Sequence, residues 1–122
     1  MTDPNFILLY VDSAPKSAAF YGDLLGKTPV EAAPTFAMFA LASGVMLGLW
    51  TRKGVEPAVS AQPGASEIAF AVGSPAEVEA RHQDWQARGI RIAQAPTAMD
   101  FGHTFTALDP DGHRLRVFAP GA

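Results

Sequence analysis

The stretch Phe105-Thr-Ala-Leu-Asp-Pro-Asp-Gly-His-Arg-Leu-Arg-Val-Phe118 carries alternating apolar residues into Asp109-Pro110-Asp111-Gly112 and out again. That is the pattern of two antiparallel strands joined by a tight turn. Pro110 presets the first turn dihedral, and Gly112 supplies a positive φ that a residue with a side chain adopts only at a cost.

The same layout occurs earlier in the chain, in Phe36-Ala-Met-Phe-Ala-Leu-Ala-Ser-Gly-Val-Met-Leu-Gly-Leu-Trp50. Leu41 matches Leu108, Gly44 matches Gly112 and Trp50 matches Phe118, with one residue's difference in the turn. A second echo links Phe6-Ile-Leu-Leu-Tyr-Val-Asp-Ser-Ala-Pro15 to Glu67-Ile-Ala-Phe-Ala-Val-Gly-Ser-Pro75, two apolar runs that end in a turn and lead into a helical pattern. The chain therefore reads as two copies of one strand-helix-strand-strand-strand unit, an α+β arrangement.

In chain order, Phe6 to Val11 is apolar on both parities, which predicts a central strand covered on both faces. Ser13 is the expected N-cap and Pro15 sits in the first turn of a helix that runs to Leu25, with Gly26 as C-cap. Phe20, Leu24 and Leu25, with Ser17 or Ala18 a turn earlier, form its apolar stripe, and Phe20-Tyr21 would press it on the sheet. Strands are expected at Thr28–Ala32, Thr35–Leu41 and Val45–Trp50, and Lys53–Gly64, with two Pro and two Gly, reads as a linker. The second unit is expected to hold a strand at Glu67–Val72, a helix from Pro75 or Ala76 to Arg88 capped by Gly89, a strand near Ile90–Ala93 and a loop over Pro96–Gly102. His82 shares a helical stripe with Val78 and Trp85 and reads as a polar residue at the edge of a packed face.

At 122 residues, 48% hydrophobic and 17% charged, the chain has the composition of one soluble globular domain. A net charge of −3, with scattered Lys and Arg, argues against nucleic acid as a partner. The absence of cysteine excludes a disulfide framework and a thiolate nucleophile. The early apolar run is too short for a signal-peptide core and follows Asp3, so a cytoplasmic location and no membrane partner are expected. No Gly-rich phosphate loop or Gly-x-Ser-x-Gly elbow is present.

Tyr10-Val11 followed by Ser17 and Phe20-Tyr21, together with Leu108-Asp-Pro-Asp-Gly-His113, resemble the vicinal oxygen chelate superfamily of glyoxalase I, bleomycin-resistance proteins and extradiol dioxygenases. The resemblance covers nearly the whole chain. It implies a single domain over residues 1–122 made of two βαβββ modules, 5–52 and 65–119, that form paired cupped sheets around the 53–64 linker. Trp50, Ser66-Glu67-Ile68 and Phe101-Gly102-His103-Thr104-Phe105 look most like the phenazine-antibiotic resistance proteins, which sequester a drug. A homodimer with sites shared between chains follows from that resemblance.

Metal-dependent members resembling this chain would place a His at Phe6, a His or similar ligand at Glu67 and a Glu at Arg116. A catalytic divalent cation needs three or more donors, and only Glu67 offers one, so neither a metal nor another cofactor is expected. Arg116 is instead a fixed cation, expected to pair with Glu67 and to take further hydrogen bonds. If Phe6, Glu67 and Arg116 face the cavity, alternation turns Leu8, Tyr10, Met46, Gly48, Trp50, Ala69, Ala71, Arg114 and Phe118 inward as well. Gly48, Ala69 and Ala71 would leave volume, and Tyr10, Phe36, Met38, Trp50, His103 and Phe105 would wall a flat guest. Arg114 and His113 are candidates for meeting a ligand carboxylate.

The implied function is metal-independent sequestration of a planar aromatic antibiotic, phenazine-like, by a binding protein rather than an enzyme. Two alternatives stand beside it. These side chains could close into a solid core, or the chain could be a cofactor-free or metal-dependent isomerase or lyase of the superfamily, with His103, near Asp100, as a general base.

Overall fold

The computed structural model describes residues 3–121, which divide between Ala61 and Gln62 into two compact units. Each unit is a four-stranded sheet carrying one helix, so the chain is α+β with two βαβββ modules.

The first unit contains β1 (Phe6–Val11), α1 (Ala14–Leu25), β2 (Glu31–Ala32), β3 (Phe36–Ala40) and β4 (Met46–Thr51), followed by a 3₁₀ turn at Arg52–Gly54. Its sheet runs β1-β4-β3-β2, with β1 parallel to β4 and the other pairs antiparallel. β1 is thus an edge strand rather than a central one. Leu9 and Val11 are buried, whereas Phe6, Leu8 and Tyr10 stay 42%, 43% and 38% exposed. Its two apolar parities reflect one face on the α1 side of the sheet, where Leu9 and Val11 are buried, and one open face. Ser13 caps α1 by accepting from the Lys16 N–H, and Gly26 ends it at φ 64°. The buried stripe is Ala14, Ser17 and Tyr21, one residue round from the expected one, so that Tyr21 is enclosed and Phe20 packs edge-on against its ring. β2 keeps only Glu31 and Ala32 of the strand expected from Thr28.

The second unit holds β5 (Glu67–Ala71), α2 (Pro75–Ala87), β6 (Arg91–Met99), β7 (Gly102–Leu108) and β8 (Arg114–Pro120), with sheet order β5-β8-β7-β6. The Ser74 side chain accepts from the Glu77 N–H, and the Glu77 carboxylate accepts from the Gly73 N–H, so the first turn of α2 is capped from both directions. Trp85 is buried edge-on to Phe70 and Phe105, with Val78 beside it on the same helical face. His82 lies at the margin of that face, against the Phe105 ring. Where a loop was expected from Pro96, β6 continues to Met99, and only Asp100 and Phe101 turn the chain. Two register shifts, between Ile92 and Gln94 and between Gln94 and Thr97, accommodate it. A proline missing its N–H is tolerated there because β6 is an edge strand with a bulge.

Both modules turn alike at their last hairpin. Leu41 N–H donates to Val45 O and Gly44 N–H to Leu41 O; Asp109 N–H donates to His113 O and Gly112 N–H to Asp109 O. Leu41 therefore matches Asp109, not Leu108, and the one-residue difference disappears. Gly112 has φ 90°, as the turn requires. With the parallel registers Phe6↔Met46 and Glu67↔Arg114, the repeat makes Phe6 equivalent to Glu67, Gly48 to Arg116 and Trp50 to Phe118.

Candidate functional site

In the first unit, the face of the sheet turned away from α1 carries Phe6, Leu8 and Tyr10 from β1, Met46, Gly48 and Trp50 from β4, and Phe36 and Met38 from β3. The registers Phe6↔Met46, Leu8↔Gly48, Tyr10↔Trp50, Phe36↔Trp50 and Met38↔Gly48 place them in rows. Phe6, Leu8, Phe36 and Trp50 line a pocket of about 380 Å³ whose wall is almost wholly apolar. The Trp50 ring meets Tyr10 edge-on at 6.4 Å and Phe36 edge-on at 6.5 Å, so its orientation is held from both sides. Tyr10, Met38 and Met46 share this face but are not among the four lining residues.

The volume expected above Gly48 is filled. A Cβ there would lie 2.6 Å from Leu8 Cδ2, 2.8 Å from Phe6 Cε1 and 3.2 Å from Phe36 Cζ. These side chains close onto the bare backbone, and the pocket lies over them. Phe6 and Leu8 were legible only as inward-facing residues, although they are half of the lining.

In the second unit, the face turned away from α2 is organised by Arg116. Its Nε donates to Glu67 Oε2 at 2.7 Å and one terminal nitrogen to Glu67 Oε1 at 3.0 Å, a bidentate pair. The other terminal nitrogen donates to Thr104 Oγ1 at 3.2 Å and Gln94 Oε1 at 3.3 Å. Thr104 Oγ1 in turn donates to the Val117 carbonyl, and Thr106 Oγ1 to Gln94 Oε1. The guanidinium also sits 5.7 Å from the centre of the Phe101 ring. The expected ion pair is thus present, with Gln94, Thr104 and Phe101 as partners that strand parity alone did not name. Ala69, opposite Arg116 on β5, is small and exposed. Arg114 is half exposed and only loosely engaged, 3.9 Å from Glu67 Oε1, while His113 is buried in the hairpin with its N–H donated to Asp109 Oδ1.

His103 and Phe105 do not belong to this face. Phe105 is fully buried against Trp85 and His82, and His103 Nε2 lies 3.5 Å from Glu79 Oε1 on α2. The β7–β8 register pairs Thr104 with Phe118 and Thr106 with Arg116, so alternation sends residues 103 and 105 to the helix side. The hairpin turn contained that information, since it sets Leu108 opposite Arg114. A role for His103 as a general base on the open face is not supported by this placement.

The donor set does not fit a divalent cation. Phe6 carries no ligand atom, both Glu67 oxygens are engaged by Arg116, and Arg116 is itself a cation. Among the described residues no group of three or more His, Asp or Glu side chains is placed to hold a metal.

Arg116's hydrogen bonds hold the Glu67 carboxyl below its ordinary pKa, against an opposing desolvation and with help from the charges of Arg116 and Arg114; the same pairing raises Arg116. A depressed carboxylate stabilises the fold above its unfolded pKa and loses that contribution as pH falls through the folded value. Glu67→Gln is therefore expected to cost about 1 kcal/mol at pH 7, since the pair is partly solvated. It should also unfold with a shallower dependence on acid than wild type below about pH 4.5. Urea melts at pH 7 and pH 3 check both; parallel pH profiles would show that the pair contributes nothing.

The sequence pattern of the Glyoxalase/Bleomycin resistance protein/Dioxygenase superfamily matches residues 4–117. The chain is 31% identical over 117 residues to the phenazine antibiotic resistance protein EhpR of Enterobacter agglomerans, covering 93% of this chain and 89% of that one. Among solved structures, a protein from Agrobacterium tumefaciens is 51% identical with a TM-score of 0.91, covering 100% of both chains. A glyoxalase-related enzyme from Fulvimarina pelagi is 26% identical with a TM-score of 0.83, covering 98% of this chain and 88% of that one. With the family pattern running through both βαβββ modules, the chain belongs to the glyoxalase/bleomycin resistance protein/dioxygenase superfamily.

Proposed function

We propose that the protein binds a planar aromatic antibiotic of the phenazine type without a metal and confers resistance by withholding it, as a homodimer with sites shared between chains. The observation that carries this reading is the pocket of Phe6, Leu8, Phe36 and Trp50, with an aromatic ring held edge-on by two others and almost no polar wall. Such a surface binds a flat arene by stacking and by releasing water from apolar area, with no group placed to attack it. The similarity to a phenazine resistance protein supports the ligand class, and the Glu67–Arg116 pair, where metal-dependent relatives would hold ligands, supports metal independence.

The test is a tryptophan-fluorescence titration of metal-stripped protein with phenazine-1-carboxylic acid, followed by mass spectrometry of the recovered ligand. Trp85 is enclosed and supplies a constant background, so quenching reports Trp50. Saturation with a Kd of about 10 μM or tighter and unchanged ligand is the expected result, with a dimer mass in light scattering. Altered ligand would move the protein to the enzymes of its superfamily, and absence of quenching would remove the phenazine class.

A further inference from the structure

We infer that Gly48 is the specificity-determining residue of the aromatic pocket: lacking a side chain, it lets Phe6, Leu8 and Phe36 sink onto the backbone of β4, leaving a depth that admits one flat fused-ring layer and no more.

The glycine is not there for its backbone freedom. The positive-φ glycines are Gly26, Gly44, Gly64, Gly89, Gly102, Gly112 and Gly121, and Gly48 is not among them. It lies inside β4, paired with Leu8 on one side and Met38 on the other. There a glycine weakens the strand and commonly marks a close approach of other groups. The approaching groups are Leu8 Cδ2, Phe6 Cε1 and Phe36 Cζ, all within 3.2 Å of where a Cβ would be. In the internal repeat the equivalent position of the second module is Arg116, whose long side chain fills that face with polar contacts. One module spends this position on a charge network, and the other leaves it bare beneath an apolar pocket. The wall has almost no polar atom, so the part of the ligand that enters is an unsubstituted aromatic edge, with polar substituents left outside.

This inference rests on the proposed phenazine binding, and the experiment separates the two. Binding of unsubstituted phenazine is measured by calorimetry for wild type, Gly48→Ala, Gly48→Ala/Leu8→Ala and Leu8→Trp, with circular dichroism as the folding control. Gly48→Ala raises its three neighbours into the pocket and is expected to weaken binding at least tenfold. The added Leu8→Ala removes the nearest obstructing atom and should recover most of the loss. Leu8→Trp fills the same space from a solvent-facing position on the edge strand, leaves β4 untouched, and should also lose binding. That variant decides the matter if Gly48→Ala does not fold. Wild-type binding retained in Leu8→Trp, in a folded Gly48→Ala, or absent from a folded double variant overturns the role of Gly48 alone; no binding by wild type overturns the phenazine reading and this inference with it.

Discussion

Trp50→Ala is expected to weaken phenazine binding about a hundredfold, near 2.7 kcal/mol, the scale reached when a central aromatic anchor is truncated. Trp50 borders the pocket and is held edge-on by Tyr10 at 6.4 Å and Phe36 at 6.5 Å, so little of its rotamer freedom remains to be lost on binding. Because the substitution removes the fluorescent reporter, calorimetry or equilibrium dialysis has to supply the constant. Trp50→Phe keeps a stacking ring and should stay within about tenfold of wild type. The alanine variant also gives up two aromatic contacts, so its fold should be weaker by about 1–2 kcal/mol, and binding is compared well below its melting temperature. A loss of less than about threefold would mean that the ligand stacks elsewhere.

Asp109→Ala should be the most damaging single change outside the apolar core, lowering the unfolding free energy by about 2–4 kcal/mol. The residue is fully buried at the start of the last hairpin, and its Oδ1 accepts from both the Asp111 N–H and the His113 N–H, each at 2.9 Å. Its carbonyl accepts from Gly112 N–H and from Arg91 at 2.9 Å, tying the turn to the start of β6. Alanine keeps those backbone bonds but leaves the two N–H groups without the side-chain acceptor in a site closed to water. Asp109→Asn retains a carbonyl oxygen there and should recover more than half of the loss. Thermal melts are expected to show a fall of about 10 °C or more for alanine. A shift of one or two degrees would mean that water replaces the carboxylate without difficulty.

Local chemistry was legible because it is written within a few consecutive residues. Ser13 as the cap of α1, the Asp109–Gly112 turn, the two helices and the repetition of one βαβββ unit all follow from neighbouring positions, and the structure has them where the residues say. The pairing of Glu67 with Arg116 was also within reach, since the family resemblance puts both at ligand positions of one site and their charges are opposite. Expectations failed wherever the answer depends on which distant strand lies alongside. Phe6–Val11 has the composition of a central strand but stands at an edge of its sheet, paired with β4 alone, and its second apolar face carries the pocket instead of a covering layer. Pro96 argued for a loop and sits in a bulged edge strand, where nothing needs its missing N–H.

His103 and Phe105 carry the residue types of a binding wall, yet the β7–β8 register turns them to α2, because a shift of one residue exchanges the two faces of a strand. Gly48 shows the same division most plainly. The run of residues shows that a glycine interrupts an apolar strand; that Phe6, Leu8 and Phe36 occupy the space it leaves is a product of the fold, since they arrive from two other strands and meet there through packing that no local pattern encodes.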